Sequence, residues 1–319
     1  MKHILLFSFL PPASVLERAL NQFKATISAK ELSVEEMLDQ VHKIQPAAIV
    51  VVPRQKITAD VIKALPDSVK IIATSSVGFE HLDISAAKER GILLSNTPEV
   101  LTECTADLGM MLLLNACRRG REYLSIMQDG WRKTYSQTDM LGLQVSGKTL
   151  GILGMGRIGR ALADRARGFG MKIIYCNNKR LPPELEKDAV YFKNFHDMLP
   201  HCQIISLNAP STPETNGIMD SKSFSLLPKN AVLVNVGRGS LVNEDALIKA
   251  LQSGHLFAAG LDVFCHEPDY NLKLRDFPNV FLTPHMGSAT VETRSAMGHR
   301  ALDNVTAALE GQRPRDSLY

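Results

Sequence analysis

Short apolar runs alternate with amphipathic stretches along the chain. Ile4 to Phe9, Ala47 to Val52, Val69 to Ala73 and Ile92 to Leu94 read as strands, with helix-like segments between them such as Asp83 to Arg90. These runs are apolar on both faces, the pattern of a parallel sheet covered on each side, so the fold class is α/β. From Pro98 the pattern changes. Leu101 to Arg119 predicts a long helix with apolar residues on nearly every face, hence one buried at a domain junction or a subunit interface. Gly120 to Ser146, with Trp131 among many polar residues, predicts a loop long enough to be an arm or a lid. A second series follows, with strands at Thr149 to Leu153, Lys172 to Cys176, Ile204 to Asn208, Val232 to Asn235, Leu256 to Leu261 and Val280 to Thr283. Helices are expected at Ile158 to Gly168 and Asn243 to Gln252, and a last helix near Ala289 to Glu310 ends in a polar tail at Gly311.

At 319 residues the chain has the length of about two domains. A composition of 45% hydrophobic and 22% charged residues excludes disorder and small stapled scaffolds. The net charge of +3 comes without a long basic or acidic block, which argues against nucleic-acid and membrane-surface partners and for a small-molecule one. The five cysteines lack C-x-x-C spacing, so they read as free thiols of a cytoplasmic protein, with no metal site. Met1-Lys2-His3 and the run Ile4 to Leu10 faintly imitate a signal peptide, but Pro11-Pro12 end the run early, and a buried first strand is the reading adopted. Leu108 to Leu114, the most apolar internal stretch, falls far short of the roughly 20 residues that span a bilayer, so a soluble protein is expected.

Three signals carry chemistry. Gly154-Met155-Gly156-Arg157-Ile158-Gly159 is a G-x-G-x-x-G directly after a strand and opening a helix, the context in which such glycines cradle a dinucleotide pyrophosphate. At the end of the next strand Asn177 stands where an NAD site usually has Asp or Glu for the ribose 2′-hydroxyl. Lys179 and Arg180 follow, so this turn is suited to the 2′-phosphate of NADP, with NAD remaining possible. Arg238, Glu267 and His285 lie in loops after successive strands of the second series, at the strand ends where a doubly wound sheet binds ligands. Reducing a 2-oxo acid needs a cation for the carboxylate, an acid for the forming alkoxide and a group that keeps the acid charged. Arg238 suits the first, His285 the second, and Glu267 the third by favouring imidazolium. The glycine motif, Asn235 to Gly239, Leu261 to Pro268 and Pro284 to Ser288, in that order and spacing, resemble the D-isomer-specific 2-hydroxyacid dehydrogenases across essentially the whole chain. Leu207 to Thr215 and Thr283 to Arg294 look closest to the glyoxylate/hydroxypyruvate reductase branch, in which NADP use is common.

The resemblance implies two Rossmann-like, doubly wound parallel-sheet domains. A discontinuous substrate domain, residues 1–98 with 289–319, would flank a dinucleotide-binding domain of residues 99–288. It also implies a homodimer, substrate entering between the domains, and a catalytic set matching Arg238, Glu267 and His285. Backbone amides at Val77 and Gly78 would hold the substrate carboxylate, together with Arg238 and His285. Asp262 would contact the nicotinamide amide, Thr105 would lie on the cofactor side of the long helix, and Arg157 and Ile158 would sit at the pyrophosphate. Glu80 departs from the commoner Asp or Asn of the family, and Glu267 argues against the formate dehydrogenase branch, where Gln is typical. The expected activity is NADPH-dependent reduction of glyoxylate, hydroxypyruvate or a similar 2-oxo acid to the D-2-hydroxy acid. Two alternatives share these motifs: a 2-ketogluconate or other sugar-acid reductase, and a dinucleotide-sensing corepressor-like binding protein.

Overall fold

The computed structural model describes Lys2 to Tyr319; Met1, the start of the leader-like opening, lies outside the described residues. The chain divides into two compact units, residues 1–101 with 288–319, and residues 102–287.

In the first unit β1 (Ile4–Phe7), β2 (Lys24–Ile27), β3 (Ala48–Val51), β4 (Ile71–Thr74) and β5 (Leu93–Ser95) form a parallel sheet in the order β2-β1-β3-β4-β5. β3 and β4 are buried at every position, which is why their runs show no alternation. β2, absent from the sequence reading, is an edge strand with no fully buried residue, so its hydrophobic signal is weak. The helix Val291–Leu309 starts on a Thr290 cap and sends Ala301, Leu302 and Val305 into a core with Leu5, Phe7, Val50 and Ala73. The tail after Gly311 is not a loose end. Leu318 N–H donates to the Leu94 carbonyl at 2.9 Å, and the Asp316 carboxylate takes Arg300 at 2.6 and 2.9 Å.

In the second unit β6 (Thr149–Leu153), β7 (Lys172–Cys176), β8 (Val190–Phe192), β9 (Ile204–Leu207), β10 (Ala231–Asn235), β11 (Leu256–Leu261) and β12 (Val280–Leu282) run parallel in the order β12-β11-β10-β9-β6-β7-β8. The order reverses between β6 and β9, so the crevice at their carboxyl ends is the ligand position of this architecture. The helix Thr102–Cys117 is buried along much of its length, with Ala106, Met110, Leu112 and Leu113 in one core with Leu150, Leu162 and Val234. The adjacent Met111, by contrast, is 37% exposed. The stretch 120–146 is not all loop. Arg119, at a left-handed φ of 57°, breaks the long helix, and Gly120–Gln128 forms a second helix with no buried residue. Among the described residues no helix is long and apolar enough to cross a membrane.

Candidate active site

The glycine loop leaves β6 at the strand-order reversal. Gly154 has φ +90°, and a Cβ there would stand 2.6 Å from the Ala209 nitrogen, so only glycine lets this turn pass the chain leaving β9. A Cβ on Gly159 would stand 2.3 Å from the Gly154 carbonyl oxygen, whereas nothing lies within 4 Å of one on Gly156. Gly156 is also the N-cap of the twelve-residue helix Arg157–Gly168, and no side chain caps it. Its first amides and the open space over Gly156 therefore fit an incoming phosphate.

Asn177 follows β7 and turns back onto this loop: its Oδ1 accepts the Met155 N–H at 2.7 Å. The amide donor fixes which end of the side chain faces the loop, so the Asn177 NH₂ remains to donate elsewhere. Lys179 is exposed. Arg180 has a partner that the sequence did not foretell: its Nε lies 3.1 and 3.0 Å from the two carboxylate oxygens of Glu186, a residue only 4% exposed. The buried Tyr175 hydroxyl also donates to Glu186, at 3.1 Å. Among the described residues the Nη atoms of Arg180 donate to nothing, so the outer edge of the guanidinium stays open.

Arg238, Glu267 and His285 come from loops after β10, β11 and β12. His285 Nδ1 lies 2.6 Å from Glu267 Oε2, with side chains 47% and 31% exposed. The carboxylate can only accept, so Nδ1 carries the proton and Nε2 is the ring atom left for chemistry. Burial, the largest influence on Glu267, raises its pKa. The hydrogen bonds from His285 and from Phe264 N–H, with the charges of His285 and Arg238, outweigh it and hold the carboxyl below its usual value. Arg238 is half-buried, and its loop is braced by Asn235, whose Nδ2 donates to the Arg238 carbonyl at 2.9 Å and whose Oδ1 accepts the Gly237 N–H at 3.0 Å. The next residue, Gly239, presses against the Glu267 loop, where a Cβ would meet the Phe264 carbonyl carbon at 1.9 Å.

Asp262 shapes the third loop. It is 1% exposed; Oδ1 accepts from Thr283 Oγ1 at 2.6 Å and Met286 N–H at 2.7 Å, and Oδ2 from Gly287 N–H at 2.8 Å. Its carbonyl takes the His285 N–H at 2.9 Å. His285 is thereby held at φ 55°, a region that residues other than glycine seldom occupy. Burial pushes the Asp262 carboxyl up, against these hydrogen bonds and the nearby His285. Thr105, 5% exposed, donates from Oγ1 to the Gly287 carbonyl at 3.1 Å, so the long helix is tied to the same loop.

The sequence model described as the D-isomer specific 2-hydroxyacid dehydrogenase, NAD binding domain, matches residues 110–287. The chain belongs to the D-isomer specific 2-hydroxyacid dehydrogenase family. This dehydrogenase is 42% identical over 282 residues to the glyoxylate reductase of Thermococcus litoralis, covering 87% of this chain and 84% of the relative. It is 37% identical to the glycerate dehydrogenase of Hyphomicrobium methylovorum, covering 94% of each. Among solved structures it resembles, with TM-score 0.86 and 32% identity over 100% of this chain and 97% of the other, an NADPH-dependent glyoxylate/hydroxypyruvate reductase of Sinorhizobium meliloti in complex with NADP and malonate. The dehydrogenase is thus an oxidoreductase that acts on 2-oxo or 2-hydroxy acids with a nicotinamide dinucleotide.

In the first unit of the dehydrogenase, Val77 and Gly78 are half-buried in the loop after β4. His81, three residues on, joins a hydrogen-bonded chain: its Nε2 lies 2.9 Å from Thr74 Oγ1. Asp83 caps the helix Ile84–Glu89 by accepting the Ala86 N–H at 2.9 Å. His266, beside Glu267, is exposed, as is Trp131 at 61%. Asn235, Thr283 and Glu186, which brace the site, were missed by the sequence reading. The first two flank motif residues and were within reach of it. Glu186 reads as an ordinary charge on a polar turn until its burial is known.

Proposed function

We propose that the dehydrogenase reduces a small 2-oxo acid of the glyoxylate or hydroxypyruvate class to the D-2-hydroxy acid, with NADPH preferred. The single observation that carries the reading is the 2.6 Å contact between His285 and Glu267, beside an Arg238 close enough to lower the Glu267 pKa. Bound nicotinamide dinucleotide supplies the hydride. Gly154, Gly156 and Gly159, with the amides at Arg157 and Ile158, would hold its pyrophosphate, and the buried Thr105 and Asp262 would shape the Met286–Gly287 turn at its nicotinamide end. Arg238 offers its planar fork to the substrate carboxylate, and within the first unit the Val77 and Gly78 amides offer donors suited to a carboxylate. His285, protonated, donates from Nε2 to the forming alkoxide. Glu267 accepts the Nδ1–H and keeps the ring oriented, which leaves Nε2 for the proton transfer.

The preference for NADPH rests on donors. Asn177 has its oxygen occupied by Met155 and offers NH₂, while Lys179 and the open edge of Arg180 add positive charge, a set suited to a 2′-phosphate. The S. meliloti relative, itself called NADPH-dependent, supports the same reading. We further propose a homodimer that uses the surface around Gly120–Gln128, where Leu124, Met127, Trp131 and Leu141 are 55 to 61% exposed. The five free thiols fit a reducing cytosol. Initial rates with a panel of 2-oxo acids, run with NADPH and NADH side by side, test the reaction. Turnover of glyoxylate or hydroxypyruvate with a higher kcat/KM for NADPH is expected, and equal or better kinetics with NADH would remove the cofactor claim. Sedimentation equilibrium tests the dimer, with a monomer mass as the contrary result.

A further inference from the structure

The loop after β4 has three successive peptide planes pinned by their carbonyl oxygens. The Ser76 carbonyl accepts the Thr97 N–H at 2.8 Å. The Val77 carbonyl accepts Asn96 Nδ2 at 2.8 Å, and the Gly78 carbonyl accepts Ser76 Oγ at 2.6 Å. In a planar trans peptide the C=O and the following N–H point in opposite directions, so fixing one aims the other. The Ser76 carbonyl therefore sets the Val77 N–H, and the Val77 carbonyl sets the Gly78 N–H. Among the described residues neither of these two amides donates to anything, although both residues are half-buried. Two adjacent amides fixed in this way and not donating within the described residues offer a pair of donors to an anion.

The clamps are themselves anchored. Asn96 is 8% exposed; its N–H donates to the Asp316 carbonyl at 3.4 Å and its carbonyl accepts Asn304 Nδ2 at 3.1 Å. Ser76, 7% exposed, has its Oγ 2.8 Å from Thr74 Oγ1, which lies 2.9 Å from His81 Nε2. We propose that Asn96 and Ser76 are positioning residues for the substrate carboxylate: they touch no substrate, Asn96 aims the Gly78 amide through the Val77 carbonyl, and Ser76 holds the Gly78 carbonyl on the far side of that residue so that the loop keeps its path. This rests on the reading that those amides receive the carboxylate of a 2-oxo acid. It adds two residues that no sequence motif of the chemistry marked. Exchange of Asn96 for Asp keeps the shape but turns the donor into an acceptor facing the Val77 carbonyl, freeing that peptide to rotate.

The test measures KM and kcat for the 2-oxo acid, the dissociation constant of oxamate by calorimetry with NADPH present, and the NADPH dissociation constant by fluorescence, in native protein, Asn96→Asp and Ser76→Ala. KM for the acid and the oxamate constant should rise about tenfold in Asn96→Asp, the equivalent of about 1.4 kcal/mol, with a smaller change in kcat and unchanged NADPH binding. Ser76→Ala alters no charge, so a rise of the same sign there excludes simple repulsion by the new carboxylate, and it serves alone if Asn96→Asp does not fold. Native values of KM and of the oxamate constant in a folded variant overturn the proposal while leaving the reductase reading intact. Native protein that binds oxamate but turns over no 2-oxo acid defeats the reductase reading, and the oxamate series still decides the positioning claim.

Discussion

At the scale of single residues, the chemistry depends on which atom of a side chain is already engaged. Nδ1 of His285 is engaged by Glu267, which leaves Nε2 to donate in the proposed reduction, and under that proposal His285→Ala should lower kcat by roughly 10²-fold to 10⁴-fold with NADPH binding unchanged. Glu267 has a depressed pKa, so its contribution is present above the ordinary carboxylate value and is lost as pH falls through the lowered one. Reduction should hold its plateau from neutral pH well into the acid range. In Glu267→Gln the anion is gone at every pH, so the acid limb that Glu267 sets should vanish from the kcat/KM profile; an unchanged acid limb would separate Glu267 from proton transfer. Arg238→Lys keeps charge but loses the planar fork, so kcat/KM should fall for every acid tested while NADPH affinity holds. Asn177→Asp would present a carboxylate where NH₂ is now available. It should cost NADPH about 1.5 to 3 kcal/mol relative to NADH, read as a change in the ratio of their kcat/KM values.

At the scale of elements, the site depends on loops that touch without side chains between them. Gly239 lets the loop after β10 lie against the loop after β11, and this close approach sets the residue after Arg238 against Phe264 and Cys265. Gly239→Ala puts a methyl group onto the Phe264 carbonyl, so one loop must withdraw. Loss of activity beyond tenfold is expected, together with a fall in stability of about 1 to 3 kcal/mol, the usual size of overpacking. Thermal unfolding and initial rates check both, and a native-like alanine variant would show that the two loops tolerate separation. The carboxyl ends of the neighbouring strands β6 and β9 impose a similar demand, since Gly154 passes the chain at Ala209 too closely for any side chain. Asp262 plays the complementary part by gathering Met286, Gly287 and Thr283 around one buried carboxylate.

At the scale of the whole molecule, each unit closes its own core, and the first does so with residues distant in sequence. Val291–Leu309 completes the core around β1, β3 and β4, and the tail then fastens to β5 through Leu318. Asp316 secures that tail. Burial, the largest influence on it, raises its pKa, but Arg300 and Asn304 reverse the sign and hold the carboxyl below its usual value. A depressed pKa means the stabilisation is present above the unfolded value and disappears as pH falls through the folded one, so the first unit should loosen in acid. Asp316→Ala leaves Arg300, 14% exposed, without its main partner; the expected loss is about 3 to 5 kcal/mol in urea unfolding at neutral pH, shrinking as pH falls. A loss that does not depend on pH would assign Asp316 a packing role only.

The α/β class, most strands of both sheets and the family were legible in the sequence, because buried parallel strands leave uninterrupted apolar runs and because the glycine loop must be written in glycine. Edge strands β2 and β8 were not legible, since a half-exposed strand of three or four residues carries little pattern. Nor was the helix Gly120–Gln128, whose apolar residues face outward and give no core signal. Residue type marked Arg238, Glu267 and His285 as candidates, but the distance between the last two exists only in the fold. The same holds for the buried Glu186 on Arg180, for Asn177 turning back to Met155, and for Asn96 on the Val77 carbonyl. Sequence determines periodicity and backbone necessity, which are local properties. Burial of a charge and the direction of a peptide plane are set by groups 6 to 22 positions away, and those meet only when the chain has folded.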